Sequence, residues 1–289
     1  MTGPAFLRKP SRINDAPPTE RDIRCQNLAQ FTGGEAWRLS DLHDRKDDLL
    51  IWITRGQGRV TVNGVRRGIG AHNAMVLPSG TLMSLELGPQ SLAQVVQCPT
   101  GLLDPNNKGA KHLRIRDSLG QAELTGEIEA MQREISLARP FLYKALEAHM
   151  RLISVWIARQ EANGALDAPK ETAAQRLVKR YAAKVVQNYT TDMVMADYAE
   201  ALDVTPTHLT RVCRSTCGKT AADMLVERKL YEARRMLAQP KIEVQEIAKS
   251  LGFGSAAYFT RFIQSHLRMS PTAYRKAALK KPANVTALS

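Results

Sequence analysis

Ala256, Ala257, Thr260, Arg261 and Gln264 share the side of a short segment that its apolar residues leave free. They are small, hydroxylic, amide or cationic, with no acid among them. A helical face of that composition suits a polyanion. Arginine donates two bonds to a guanine edge, hydroxyls bond base or phosphate, and small methyls can meet the thymine methyl. The residues that would present this face run from Val244 to Arg275. Glu246-Ile247-Ala248 and Leu251 put apolar side chains on one side of a short helix. Gly252 can take the positive φ that ends it. Ser255 is placed to cap a second helix, with Tyr258/Phe259 and Phe262/Ile263 on its inner side. Helix, glycine turn and helix form a helix-turn-helix, whose second helix enters the DNA major groove. An αα-hairpin with a solvated basic face fits this pattern equally well.

A second copy upstream separates the two readings. Asp197-Tyr198-Ala199, Leu202 and Asp203-Val204 align with Glu246-Ile247-Ala248, Leu251 and Gly252-Phe253, and Leu209-Thr210-Arg211 aligns with Phe259-Thr260-Arg261. The offset is 49 residues before the turn and 50 after it, so the second copy has one extra turn residue. Two such units argue for a repeated DNA-reading module. The charge is distributed accordingly. Residues 171–289 hold 19 Lys and Arg against 10 Asp and Glu, within a net charge of +13 for the 289-residue chain. That excess supplies phosphate attraction and salt dependence, but no choice of sequence.

The residues EIA..LGF.S..YFTRF followed by SP..YR, at Glu246–Arg275, resemble the DNA-binding domain of AraC/XylS-type transcription regulators. So do HLTRVCR, GKT and a following leucine at His208–Leu225, and R…EARRML at Arg228–Leu237. The resemblance covers roughly the last 110 residues. Arg268 departs from it by standing where the family usually has glycine, which leaves the turn after the second recognition helix open. Ile263 replaces a usual phenylalanine, Gln264 a lysine and Cys213 an aromatic residue. By position on the family motif, Thr207, Thr210 and Arg211 in the first recognition helix, and Ala256, Ala257, Tyr258 and Arg261 in the second, are expected to read bases. Thr205, Arg214, Ser255 and Gln264 are expected to hold phosphates. Tyr258 has a second reading, as an aromatic packed against Phe262. The resemblance implies double-stranded DNA as partner, a homodimer, a possible small-molecule effector and, for an activator, RNA polymerase.

The rest of the chain must carry and position this module, and the expected architecture is α+β with two domains. Residues 1–22 are Pro-rich and polar and read as a disordered arm. Residues 23–118 change to strands and turns. Leu49–Ile53 is a strongly apolar run, Arg59–Val62 alternates, Asn63-Gly64 is a hairpin turn, and Val65–Arg67, Ala74–Leu77, Leu82–Leu87 and Leu92–Cys98 supply further strands. A small barrel or jelly roll is expected. The WITRGQGRVTVNG rhythm resembles the cupin-type domain often found ahead of AraC-type readers. Its implied role is sensory or dimerising. Trp37, Trp52 and Met75 are candidate inward positions, for either core or pocket.

Enzymatic cupins hold a metal with a His-x-His pair, an acid and a later histidine. Here His43 and His72 stand alone and read as surface or loop residues, so no metal and no cofactor are expected. A cupin-like enzyme is the rival reading, and an effector-independent regulator whose barrel only dimerises is a third. Residues 100–118 read as a turn-rich link. Residues 119–163 read as a helical hairpin with Leu124, Ile128, Met131 and Ile135 on one face of the first helix. Leu146, Met150, Ile153 and Ile157 lie on one face of the second, a stripe that serves either as core or as a dimer seam. Residues 163–172 mark the domain boundary, 173–277 the reader and 278–289 a flexible tail. Cys25, Cys98, Cys213 and Cys217 lack zinc-ligand spacing and read as buried thiols. No run approaches the length of a membrane span and the first residues lack a signal-peptide core, so the expectation is a cytoplasmic protein without membrane contact.

Overall fold

The computed structural model describes residues 23–104 and 109–280. The expected N-terminal arm and the end of the expected tail lie outside the described residues.

The N-terminal part contains β1 (Arg24–Asn27), α1 (Leu28–Thr32), α2 (Trp37–Ser40), β2 (Asp48–Arg55), β3 (Gln57–Val62), β4 (Val65–Gly70), β5 (Asn73–Leu77), β6 (Met83–Leu87), β7 (Leu92–Cys98) and β8 (Lys111–Arg114). They form two antiparallel sheets, β1-β7-β2-β5-β8 and β4-β3-β6. No ladder of named strands joins the two sheets, so within the expected barrel-or-jelly-roll class the domain takes the open form of two packed sheets and not a closed barrel. Both edges of the larger sheet come from stretches without clear alternation. β1 is four residues long, and β8 lies inside the segment read as a link.

β2 explains the layering. Leu49, Ile51 and Ile53 point between the sheets, where they meet Val60, Ile69, Met75, Leu77, Met83, Leu85 and Val95. Leu50 and Trp52 point the other way, into a second core with Val76, Val96 and Leu113. A strand buried on both faces must be apolar at every position, which is why this run does not alternate. The second core is closed by α3 (Ser118–Leu137) and α4 (Leu142–Ala162). Leu124, Ile128, Met131, Leu146, Met150, Ile153 and Ile157 all pack on the sheet. The apolar stripe of the hairpin is therefore intramolecular core, and a seam between two chains would have to use its outer side, where Leu137, Phe141, Leu152 and Val155 are exposed. Trp52 Nε1 donates to Thr125 Oγ1 at 3.1 Å, so this ring faces the helices and not the space between the sheets. Of the three candidate inward residues, Met75 alone lies there.

The boundary segment is held to the sheet edge. Arg114 N donates to Ala165 O at 2.8 Å, and Asp167 N donates to His112 O at 2.7 Å. Arg67 Nη1 donates to Asp167 O at 2.6 Å, while Arg114 Nη2 binds the Asp167 carboxylate at 2.9 Å.

Seven helices follow: α5 (Ala173–Asn188), α6 (Met195–Glu200), α7 (Pro206–Cys217), α8 (Ala221–Leu237), α9 (Val244–Ser250), α10 (Ala256–Leu267) and α11 (Pro271–Lys280). Their cores are two clusters. Val178, Tyr181, Tyr198, Leu209 and Met224 belong to the first, and Leu237, Ile247, Leu251, Phe259 and Ile263 to the second. Leu42 and Leu82 of the N-terminal domain are members of the first cluster. The β3–β4 turn reaches the same place. Asn63 and Gly64 have φ of 48° and 74°, as a two-residue hairpin turn of this hand requires. A Cβ on Gly64 would stand 2.2 Å from Val178 Cγ1, so the tip fits against α5 only as glycine.

His43 corrects the expectation of a surface histidine. Its side chain is 0% exposed, and its ring stacks on Tyr231 of α8 at 4.4 Å and 8°. The Nδ1–H donates to Asp41 O at 2.9 Å, which leaves Nε2 as the bare nitrogen. Burial pushes its pKa down to about 3, so the ring is neutral. His72 is exposed in the β4–β5 turn. Cys98, Cys213 and Cys217 are buried and Cys25 is half-buried, all as free thiols. Burial raises each thiol pKa, to about 12 for Cys25 and Cys213, which keeps them protonated and unreactive.

Candidate nucleic-acid interface

The two recognition helices are built by the same local chemistry. Thr205 sits in extended backbone before α7, its Oγ1 accepts from His208 N at 3.2 Å, and Pro206 occupies the first helical position. Ser255 does the same for α10, with its Oγ accepting from Tyr258 N at 3.1 Å. Leu209, Val212, Cys213 and Cys217 bury the inner side of α7, and Phe259 and Ile263 that of α10. The preceding turns match as well. Gly252 has φ +72° and Asp203, its counterpart, φ +58°. Aspartate is one of the few residues that tolerate this region.

Both helices end in a left-handed residue. Gly218 closes α7 with φ 79°, its N–H donating to Arg214 O, and Arg268 closes α10 with φ 57°, its N–H donating to Gln264 O. Arg268 thus adopts the conformation that a glycine would have adopted without strain, and the turn left open by the sequence is made. Caps and C-terminal residues repeat at the offset of 50 and the tight turns at 49, as the alignment required.

Thr207, Thr210, Arg211 and Arg214 lie at i, i+3, i+4 and i+7 on α7, and Ala257, Thr260, Arg261 and Gln264 at the same spacing on α10. Each set forms one stripe on its helix. All are exposed except Thr210 and Thr260, which are half-buried. Ala256 is half-buried at the start of α10. Tyr258 is 57% exposed. Its ring contacts are with Phe253, 5.8 Å away, and with the Arg261 guanidinium at 5.9 Å. Phe262 packs instead on Phe253 and His266, so the alternative of a Tyr258–Phe262 pair is not what the ring does.

Sequence reasoning overlooked His208. Its Nδ1 accepts from Arg211 Nη2 at 3.1 Å, a bond that aims the guanidinium. The i, i+3 spacing of the two residues was the available signal.

Behind the stripes, α8 joins the units and faces the N-terminal domain. Arg234 Nη1 binds Asp41 at 2.6 Å, and Arg235 binds Glu232 at 2.5 Å. Both arginines are therefore engaged with acids. Arg228, 3% exposed, binds Asp44 at 2.5 Å and Glu232 at 3.2 Å, and its guanidinium lies 3.7 Å from the centre of the Tyr189 ring. Among the described residues no three His, Cys, Asp or Glu side chains gather as a metal site, and no helix is long and apolar enough to cross a membrane.

Comparison with known proteins agrees with this geometry. A family model described as a helix-turn-helix domain matches residues 198–277, from within α6 to α11. The transcriptional regulatory protein HptR of Staphylococcus aureus (strain MRSA252) is 28% identical over 152 residues, which are 49% of this chain and 60% of HptR. The probable transcription factor PqrA of Proteus vulgaris is 32% identical over 69 residues, 24% of this chain and 57% of PqrA. The chain thus spans about 60% of the length of the curated relatives it matches. Among solved structures, ToxT from Vibrio cholerae O395 is similar over 90% of this chain and 98% of its own, at 13% identity and a TM-score of 0.41. With two capped, matching recognition helices and this family match, the C-terminal region of the chain is an AraC/XylS-type helix-turn-helix domain, carried behind a sheet-rich N-terminal domain.

Proposed function

We propose that the protein is a sequence-specific regulator of transcription that reads two successive major-groove segments of double-stranded DNA with α7 and α10. The observation that carries this reading is the repetition of cap, turn and C-terminal residue in both units, each presenting an acid-free stripe. Arg211 and Arg261 occupy equivalent places on those stripes and are assigned to guanine edges, with Thr207, Thr210, Ala256, Ala257 and Tyr258 as the other base contacts. Thr205, Arg214, Ser255 and Gln264 are assigned to phosphates. The cap bonds use the lone pairs of the Thr205 and Ser255 hydroxyls and leave their protons free to donate. Genome-wide immunoprecipitation of bound DNA, wild type beside the Arg211→Ala/Arg261→Ala double variant, tests the assignment. Discrete promoter peaks that vanish in the variant are expected. Diffuse, salt-sensitive occupancy that is unchanged in the variant would overturn it.

Control by a small molecule is the finer part of the reading. An open cleft of about 740 Å³ lies at one end of the sheets, lined by Gln57, Arg59, Asn73, Glu86 and Arg114 among others. Ile69 and Leu87 complete a lining that is both polar and apolar, and this groove is where an effector is assigned. Such a molecule acts only through different affinities for two arrangements of the domains. A ligand-dependent rise in unfolding temperature would separate this from a regulator that needs no effector. The protein is assigned to the cytoplasm and to a homodimer, the latter through the outer side of the helical hairpin.

A further inference from the structure

Lys229 of α8 belongs to neither helix-turn-helix unit alone. Its ammonium donates to Thr191 O and to Leu251 O, both at 3.1 Å. Thr191 lies in the turn that leads into α6 of the first unit, and Leu251 is the C-terminal cap of α9 in the second. The next residue closes the joint. A Cβ on Gly252 would stand 2.4 Å from Thr191 O and 2.6 Å from Thr190 O, backbone atoms that cannot swing aside. Gly252 is therefore required twice, by its own φ and by the backbone of the other unit. The Phe253 ring lies 5.2 Å from Lys229 Nζ, and Tyr189 packs against both cores.

We propose that Lys229 is a positioning residue that fixes the phase between the two recognition helices and so sets the spacing of DNA segments the protein accepts. This rests on the DNA-reading assignment above. Helix α8 packs in both cores, through Met224 and Leu225 in the first and Leu230, Ala233 and Leu237 in the second, and Arg275 donates to Leu237 O and Ile242 O beside the connection to α9. Apolar packing is non-directional, so it holds the units together more firmly than it fixes their rotation. The ammonium ties a carbonyl of each unit to the same helix, and charge-assisted bonds of this kind are the stronger ones. On B-DNA one base pair rotates a segment by about 34° around the axis. A rigid pair of readers accepts one spacing, whereas a hinged pair accepts several.

The test begins with duplexes selected from a random pool by the full-length wild-type protein. Affinities are then measured for the selected duplex, for its first segment alone, and for versions with one or two base pairs inserted between the segments. The variants are Lys229→Met and the charge-matched control Lys241→Met, whose lysine is exposed in the α8–α9 connection. Wild type and control are expected to lose about tenfold or more on a one-base-pair insertion, against less than about threefold for Lys229→Met. All three should bind the single segment alike, which a general loss of structure would not allow. Lys229→Gln stays polar but loses the charge and is one atom too short to bridge both carbonyls, and provides the same readout should the methionine variant not fold. Spacing discrimination in the Lys229 variants equal to wild type would overturn the proposal. Failure of the wild type to select any sequence would overturn the DNA-reading assignment itself, and the proposal with it.

Discussion

Arg228 and Asp44 form a buried ion pair across the junction of the two domains, with Nε and Oδ1 2.5 Å apart. Glu232 completes the set from one turn along α8, and the Tyr189 ring lies under the guanidinium. Removing one partner of a buried pair leaves charges without compensation. Arg228→Ala strands Asp44, while Glu232 keeps Arg235, and is expected to lower the free energy of unfolding by about 3–5 kcal/mol. Urea denaturation would show this as a fall in midpoint, and a midpoint equal to wild type would contradict the account.

His43 makes the same junction sensitive to acid. Its pKa, lowered to about 3 by burial, lies below the ordinary value of 6.5. The unfolded chain therefore takes up this proton first as pH falls, and the contribution of the neutral ring to stability is complete above 6.5 and lost progressively toward 3. The slope for one proton is about 1.4 kcal/mol per pH unit. His43→Phe keeps a ring against Tyr231 and is expected to flatten the pH dependence of stability between pH 6.5 and 5 by up to that amount. Parallel profiles for the two proteins in that window would mean that His43 is already protonated in the folded state.

Arg268 holds a left-handed conformation that costs an L-residue roughly 1–2 kcal/mol. Glycine avoids this strain but loses more entropy on folding. Arg268→Gly is accordingly expected to stabilise the protein by about 0.5–1 kcal/mol, seen as a higher unfolding temperature. A lower one would show that the arginine side chain holds contacts worth more than the strain.

Within the proposed interface, Arg211→Ala and Arg261→Ala are each expected to weaken binding to a selected duplex by about 1–3 kcal/mol. Because His208 aims the Arg211 guanidinium, the two residues should couple. A double-mutant cycle with His208→Ala is expected to give an interaction of about 0.5 kcal/mol or more. Strictly additive losses would assign Arg211 no help from the imidazole.

Both helix-turn-helix units were legible from residues within a few positions of one another. Thr205 and Ser255 as caps, Pro206 at a helix start, Gly252 in a turn and Asn63-Gly64 in a hairpin depend on local backbone preference, and the structure places each of them so. The outward stripes follow from the period of the helix once the apolar side is known. Arg268 was the exception, because it caps α10 in a left-handed conformation that its own residue type disfavours.

Burial and partnership were decided only by the tertiary structure. His43 reads as a loop residue and Leu82 as the start of a strand, and Leu42 adjoins that loop in the N-terminal domain. They are buried because α5 and α8, some ninety residues or more away, close over them. β8 became a strand because β5 offered it an unpaired edge, and Lys229 found carbonyls from two units that the chain separates widely. Local propensity determines which helices, caps and turns can form, since it acts over about four residues. Which surfaces meet depends on contacts between distant parts of the chain, and those exist only once it has folded.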